Sequence, residues 1–175
     1  MDDSFFAYIH LVELLAFFSG YPLLYALIYL YAVKSNVRGA FKNRLLANLP
    51  YAYALVGTLY FALQLKNLFP DFHVASINSW IQSTWLVSWG ILSLLFWIPA
   101  VAKKTILSLL HSLVFLLFIV KDLINQIYTP DNYILRNDMT LFSYSLMINL
   151  GAIFITFLVS FFLSRDRSNA RAEKY

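Results

Sequence analysis

Residues 5–32 read FFAYIHLVELLAFFSGYPLLYALIYLYA, 28 residues with few polar side chains. A bilayer's hydrocarbon core is about 30 Å thick and takes roughly 20 residues of helix to cross. The run is therefore long enough to span as a helix. Two interruptions give it character. His10 and Glu13 lie one helical turn apart, and a carboxylate within a span must find a proton or a partner. Ser19-Gly20-Tyr21-Pro22 interrupts the middle. Pro22 has no backbone donor and its ring crowds the Phe18 carbonyl, so the helix is predicted to bend there, with Gly20 and Pro22 as hinge candidates.

The rest of the chain resembles this run. Of 175 residues, 61% are hydrophobic, 18% aromatic and 13% charged, against about 25% charged in soluble domains. The solvent for most side chains is therefore lipid. There are no cysteines, which excludes disulfides, thiolate metal sites and cysteine nucleophiles. Met1-Asp2-Asp3-Ser4 is acidic and lacks the positive region of a secretory signal, so an uncleaved first span is expected.

Five apolar stretches follow one another at about 5–32, 44–65, 77–100, 104–126 and 139–164. They predict an all-α polytopic membrane bundle over residues 1–164 with a short, frayed polar tail at 165–175. Orientation follows from the Lys and Arg near span ends, which resist translocation. Ten of the 13 (Lys34, Arg38, Lys42, Arg44, Lys103, Lys104, Arg165, Arg167, Arg171 and Lys174) fall on one side. Lys66, Lys121 and Arg136 fall on the other. The N-terminus is therefore expected outside and the C-terminus in the cytoplasm, with a bacterial inner membrane as the expected location. The formal net charge of +4 reflects this topology and does not predict nucleic-acid binding. The loops at 70–76 and 129–138 are both expected outside, side by side over the bundle mouth.

At about 100° per residue, polar and small side chains gather on one face of each span. Tyr53, Gly57, Tyr60 and Gln64 share a face, as do Ser79, Gln82, Ser83, Gly90 and Ser93. Ser108, His111, Ser112 and Asp122 form another, and Ser145, Asn149, Thr156 and Ser160 a fourth. Such stripes ordinarily serve helix packing. A polar path through the bundle is the alternative, with Glu13, His10, His111, Asn149 and Gln64 as its candidate residues. By helical rise, Glu13 is expected about 12 Å below the outer end of its span, His111 about 11 Å from the inner end and Asn149 about 15 Å from the outer end. Glu13 is expected to point inward, next to His10 or His111, and to meet a polar residue from the fourth or fifth span.

Chemistry is sparse. His10 and Glu13 place two possible ligands on one face, but the further acids of a metal bundle are missing, so no metal site is expected. No phosphate loop, His-Glu-x-x-His motif or nucleophile elbow occurs. Ser145 with His111 is the one serine–histidine pairing singled out, and only chain order speaks for it. No catalytic residue, cofactor or enzymatic activity is expected. The function expected is that of a non-catalytic subunit or assembly component of a membrane complex, with the bilayer and a protein partner or a second copy as its contacts. The alternative is a small oligomeric transporter or channel coupled to protons or ions through Glu13.

Overall fold

The structure, a computed structural model, describes residues 3–34, 39–68, 84–128 and 132–172. Its α-helices are α1 (Asp3–Phe18), α2 (Tyr21–Lys34), α3 (Gly39–Leu68), α4 (Thr84–Ile91), α5 (Pro99–Ala102), α6 (Thr105–Tyr128) and α7 (Asn132–Ala172). No strand occurs among the described residues. Among the described residues four stretches, Leu11–Ala32, Phe41–Lys66, Thr105–Asn125 and Met139–Leu163, are long and apolar enough to cross a membrane. These four helices fit a multi-pass integral membrane protein.

The third predicted span differs from expectation. Its described part is α4, then a 3-10 helix over Leu92–Trp97, then α5. Within the described residues the apolar piece of this span is Val87–Trp97. The break has a local cause at Pro99, because the residue before a proline avoids the helical region. Ile98 is accordingly extended, at φ −74° and ψ 120°, and Pro99 opens the next helix, where its missing N–H costs nothing. Residues 77–83, the start of that span, lie outside the described residues, as do the expected loop at 70–76 and residues 129–131; the rest of the loop expected at 129–138 is helical, because α7 already starts at Asn132.

Two other boundaries move. α3 begins ahead of residue 44 and runs through the buried Pro50 without interruption. α7 has 41 residues, about 60 Å of helix, and continues past Ser164 to Ala172 where a frayed tail was expected. Arg and Ala dominate Arg165–Ala172, and neither Pro nor Gly stops the helix there.

The first span divides where the sequence says it should. α1 ends at Phe18, Ser19 and Gly20 form a turn, and α2 starts at Tyr21. The core lies where α1 and α2 meet α3 and α6, and it is largely aromatic. Phe18 stacks on Phe115 at 4.9 Å, Tyr21 lies 4.5 Å from Tyr53, and Tyr60 meets Phe18 edge-on at 5.4 Å. All five rings are fully buried, and tilted or offset arrangements of this kind contribute beyond the area they bury. α7 packs along α1 and α3. Ile106, Leu110, Leu117 and Ile124 on α6 recur at helical spacing and are exposed, as are Met147, Leu150 and Phe154 on α7. Those faces suit lipid or another apolar surface.

Candidate functional site

The polar face of α3 turns into the bundle. Tyr53, Gly57, Tyr60 and Gln64 are all buried, and Gln64 Nε2 donates to Glu13 Oε2 at 2.8 Å. Glu13 thus points inward, and the side chain that bonds it here comes from α3, a span that the expectation had not named. Helical spacing gives the face of a residue but not the level at which a neighbouring helix passes. The bond also revises the depth of Glu13. Gln64 lies two residues from Lys66, where the apolar stretch of α3 ends, about 3 Å along the axis. Glu13 is level with it, so it sits near one mouth of the bundle and not in its middle third.

Around this pair the hydrogen-bonding capacity is only partly used. Gln64 is 1% exposed and its Oε1 has no hydrogen-bond partner; Tyr60 is fully buried and its hydroxyl has none either. Tyr60 is held in place by rings and by a glycine. Phe17 lies 5.7 Å away edge-on, and a Cβ on Gly90 would come within 2.6 Å of both Tyr60 Cε1 and Leu14 Cδ2. Gly90 therefore makes room for this corner.

A second polar centre lies at the break between α1 and α2. Breaking a helix in lipid frees backbone groups that must be satisfied by neighbours. Gly20 N–H donates to Ser145 Oγ at 2.8 Å, and the Phe17 carbonyl accepts from Asn149 Nδ2 at 2.7 Å. Asn149 Nδ2 also donates to the Ser145 carbonyl at 2.8 Å. The i, i+4 pair Ser145 and Asn149 on α7 thereby clamps the interrupted helix. Approach is close: a Cβ on Gly20 would stand 2.7 Å from the Leu146 backbone N.

The third centre is His111. Its Nδ1 pairs with the Tyr53 hydroxyl at 2.7 Å, and Trp89 stacks on the imidazole at 5.0 Å and 3°. Phe96 and Phe115 approach it edge-on, each at 6.0 Å. Its Nε2 is buried and bonds nothing. His111 is accordingly bonded neither to Glu13, its expected neighbour, nor to Ser145, which serves Gly20. A serine–histidine dyad is not assembled. His10 lies in α1 one turn before Glu13, and its side chain is outside the described part.

Of the candidates, then, Glu13 and Gln64 are brought together, while Asn149 and His111 occupy separate centres. Tyr60 and Tyr53 were not singled out by the sequence reading, and Ser145 only as a partner for His111, though each lay on a polar face it had identified. Among the described residues no three His, Asp or Glu side chains gather as a metal site. In the first centre the Glu13 carboxylate accepts from the Gln64 amide, and Gln64 Oε1 and the Tyr60 hydroxyl are buried without hydrogen-bond partners. No known protein family, characterised protein or solved structure matches the chain.

Proposed function

We propose that the chain is a five-span protein of a bacterial inner membrane, N-terminus out and C-terminus in, serving as a non-catalytic component of a membrane complex. The observation that carries this reading is α7. Its 41 residues outrun the membrane-suited stretch Met139–Leu163, so a helical arm bearing Arg165, Arg167 and Arg171 extends beyond it. Within that stretch most side chains are turned away from the bundle, leaving an apolar face for a partner helix or a second copy. The tenfold and threefold sets of Lys and Arg on opposite sides support the orientation. Native purification in mild detergent tests the reading: a defined set of partners is expected, and a chain that emerges alone and monomeric overturns it. A reporter fused after Tyr175 is expected to be active only in the cytoplasm; activity outside removes the span count.

One observation favours a second reading, transport coupled to protons or ions. Glu13 is held by Gln64 beside two buried oxygens without partners, Gln64 Oε1 and the Tyr60 hydroxyl. Membrane interiors tolerate such groups mainly at functional positions. Proteoliposome flux that disappears in Glu13→Gln supports this reading, and flux unchanged by that substitution removes it.

A further inference from the structure

We propose that the end of the bundle where α3 and α6 begin carries a binding surface for an anionic phospholipid. Arg44, Lys103 and Lys104 take its phosphate, and its acyl chains lie on Leu95, Trp97 and Ile98. The inference is independent of Glu13 and of the transport reading.

Register is the first reason. α4 and the 3-10 helix run antiparallel to α3: Gly90 closes on Tyr60, Ser93 on Gly57, Phe96 on Tyr53 and Trp97 on Tyr51. Lys103 and Lys104 follow Trp97 by six and seven residues, and Arg44 precedes Tyr51 by seven. α5 packs on α3 over that distance. The three cations therefore stand at one level, roughly 10 Å beyond the contact of Trp97 with Tyr51. All three are exposed.

Charge is the second reason. No acid occurs between Glu13 and Asp71, or between Asp71 and Asp122. Topology requires the cations but not this absence, because acids carry little weight in orienting a span. Glu13, bonded to Gln64, stands about 30 Å away along α3, and Asp122 about 25 Å away along α6. Phe157 meets Phe41 at the start of α3, so Asp166, nine residues later, is carried about 13 Å farther out by the arm. Neither α3 nor α6 has an acid in its first turn to meet the positive pole of the helix. Asn48, one turn after Arg44, adds a buried Nδ2 without a hydrogen-bond partner. All these groups call for an acceptor or a negative charge.

The apolar side decides for a lipid over a soluble anion. Leu95, Trp97 and Ile98 are each nearly half exposed, a few residues back from the cations on the same segment. Trp97 Nε1 donates to Thr58 Oγ1 at 2.9 Å, fixing the indole just below the charges, the interfacial depth that tryptophan favours. Basic residues at the ends of neighbouring spans are a common setting for acidic headgroups.

The test uses the full chain in neutral detergent with equal amounts of phosphatidylglycerol and phosphatidylcholine, read by native mass spectrometry. Wild type is expected to keep one phosphatidylglycerol per chain, favoured about tenfold over phosphatidylcholine. Arg44→Gln, Lys103→Gln and Lys104→Gln combined should abolish the preference, and each alone should lower it about twofold. Arg165→Gln, Arg167→Gln and Arg171→Gln combined, a loss of the same charge on the arm, should leave it in place. A wild-type ratio near one overturns the surface, as does a ratio unchanged in the first triple variant. Equal losses in the two triple variants overturn it too, since net charge alone would then set the preference. Displacement of the lipid by inorganic phosphate at constant ionic strength assigns the cations to a soluble anion and overturns the lipid. The single variants carry the test if the first triple variant does not fold.

Discussion

Two polar centres lie about two turns apart along the first span, and they use their hydrogen-bonding groups in opposite ways. At the Gly20 break, side chains of α7 meet the backbone groups that the turn sets free. Ser145 Oγ takes the Gly20 N–H and Asn149 Nδ2 takes the Phe17 carbonyl. At the mouth, Gln64 reaches Glu13, yet Gln64 Oε1 and the Tyr60 hydroxyl remain without partners. Composition alone does not distinguish these centres, since both are a few polar side chains in an apolar helix. Accounting for each donor and acceptor does. The first centre has the form of a helix–helix joint, with only Asn149 Oδ1 left over, and the second keeps two buried oxygens without hydrogen-bond partners.

The sharpest way to break this comparison is at Gly20. A methyl group there would stand 2.7 Å from Leu146 N, 2.9 Å from the Ser145 carbonyl carbon and 3.0 Å from Leu146 Cα. These are backbone atoms in the middle of α7 and cannot rotate aside, so α1 and α7 must separate. Gly20→Ala is expected to cost about 3 kcal/mol, at the upper end of ordinary overpacking, read as a fall in Tm in detergent. A variant that unfolds like wild type would remove the close approach on which the joint depends.

Next is the clamp itself. Asn149→Ala removes the amide and leaves the Phe17 carbonyl without its donor, and a buried backbone group so abandoned costs about 1–3 kcal/mol. Ser145→Ala leaves the Gly20 N–H in the same position. Because Ser145 Oγ also lies 3.3 Å from Asn149 Nδ2, the two changes share a network and their combined cost should differ from the sum. Strict additivity in the double-mutant cycle would mean that the pair does not act as one clamp.

The joint was more legible in the sequence than the site. Gly20 and Pro22 mark an interrupted helix whatever surrounds it, because glycine and proline act on their own backbone. The inward face of α3 was legible as well, since Tyr53, Gly57, Tyr60 and Gln64 follow the helical period. Which residues meet across helices was not. Pairing Glu13 with Gln64, or Tyr53 with His111, depends on how far each helix is displaced along its axis, and a periodic pattern carries no such information. The 3-10 helix at Leu92–Trp97 escaped for another reason: an unbroken apolar run reads the same whether its backbone is α or 3-10. Pro99 was the visible signal, one residue before the expected end of that span.

At the mouth the expected effects on stability are smaller. Glu13→Leu leaves Gln64 Nε2 without its acceptor in a buried position, at about 1–2 kcal/mol. Glu13→Gln offers that donor an amide oxygen instead and should cost less than about 1 kcal/mol. Thermal unfolding in detergent checks both. Equal losses in the two variants would mean that the charge of Glu13, and not its bond to Gln64, holds α1 to α3, and the contrast with the clamp would fade.

The smallest expected effect has the opposite sign and concerns a second glycine in the same helix pair. Gly151 lies on α7 two residues beyond Asn149, exposed, and a Cβ built there meets nothing within 4 Å. Glycine in a helix interior costs about 0.5–1 kcal/mol relative to alanine, through the backbone freedom it loses on folding. Gly151→Ala should therefore leave the isolated chain unchanged or raise its stability by up to about that amount. The same substitution also probes what lies outside the bundle, because Met147, Leu150 and Phe154 around it are exposed as well. If the isolated chain is as stable as wild type while natively purified material loses a partner or a second copy, a helix approaches α7 at Gly151 as closely as α7 approaches Gly20. If neither property changes, that stretch of α7 faces lipid, and the docking surface of a complex subunit must lie elsewhere, on α6 or on the helical arm beyond Leu163.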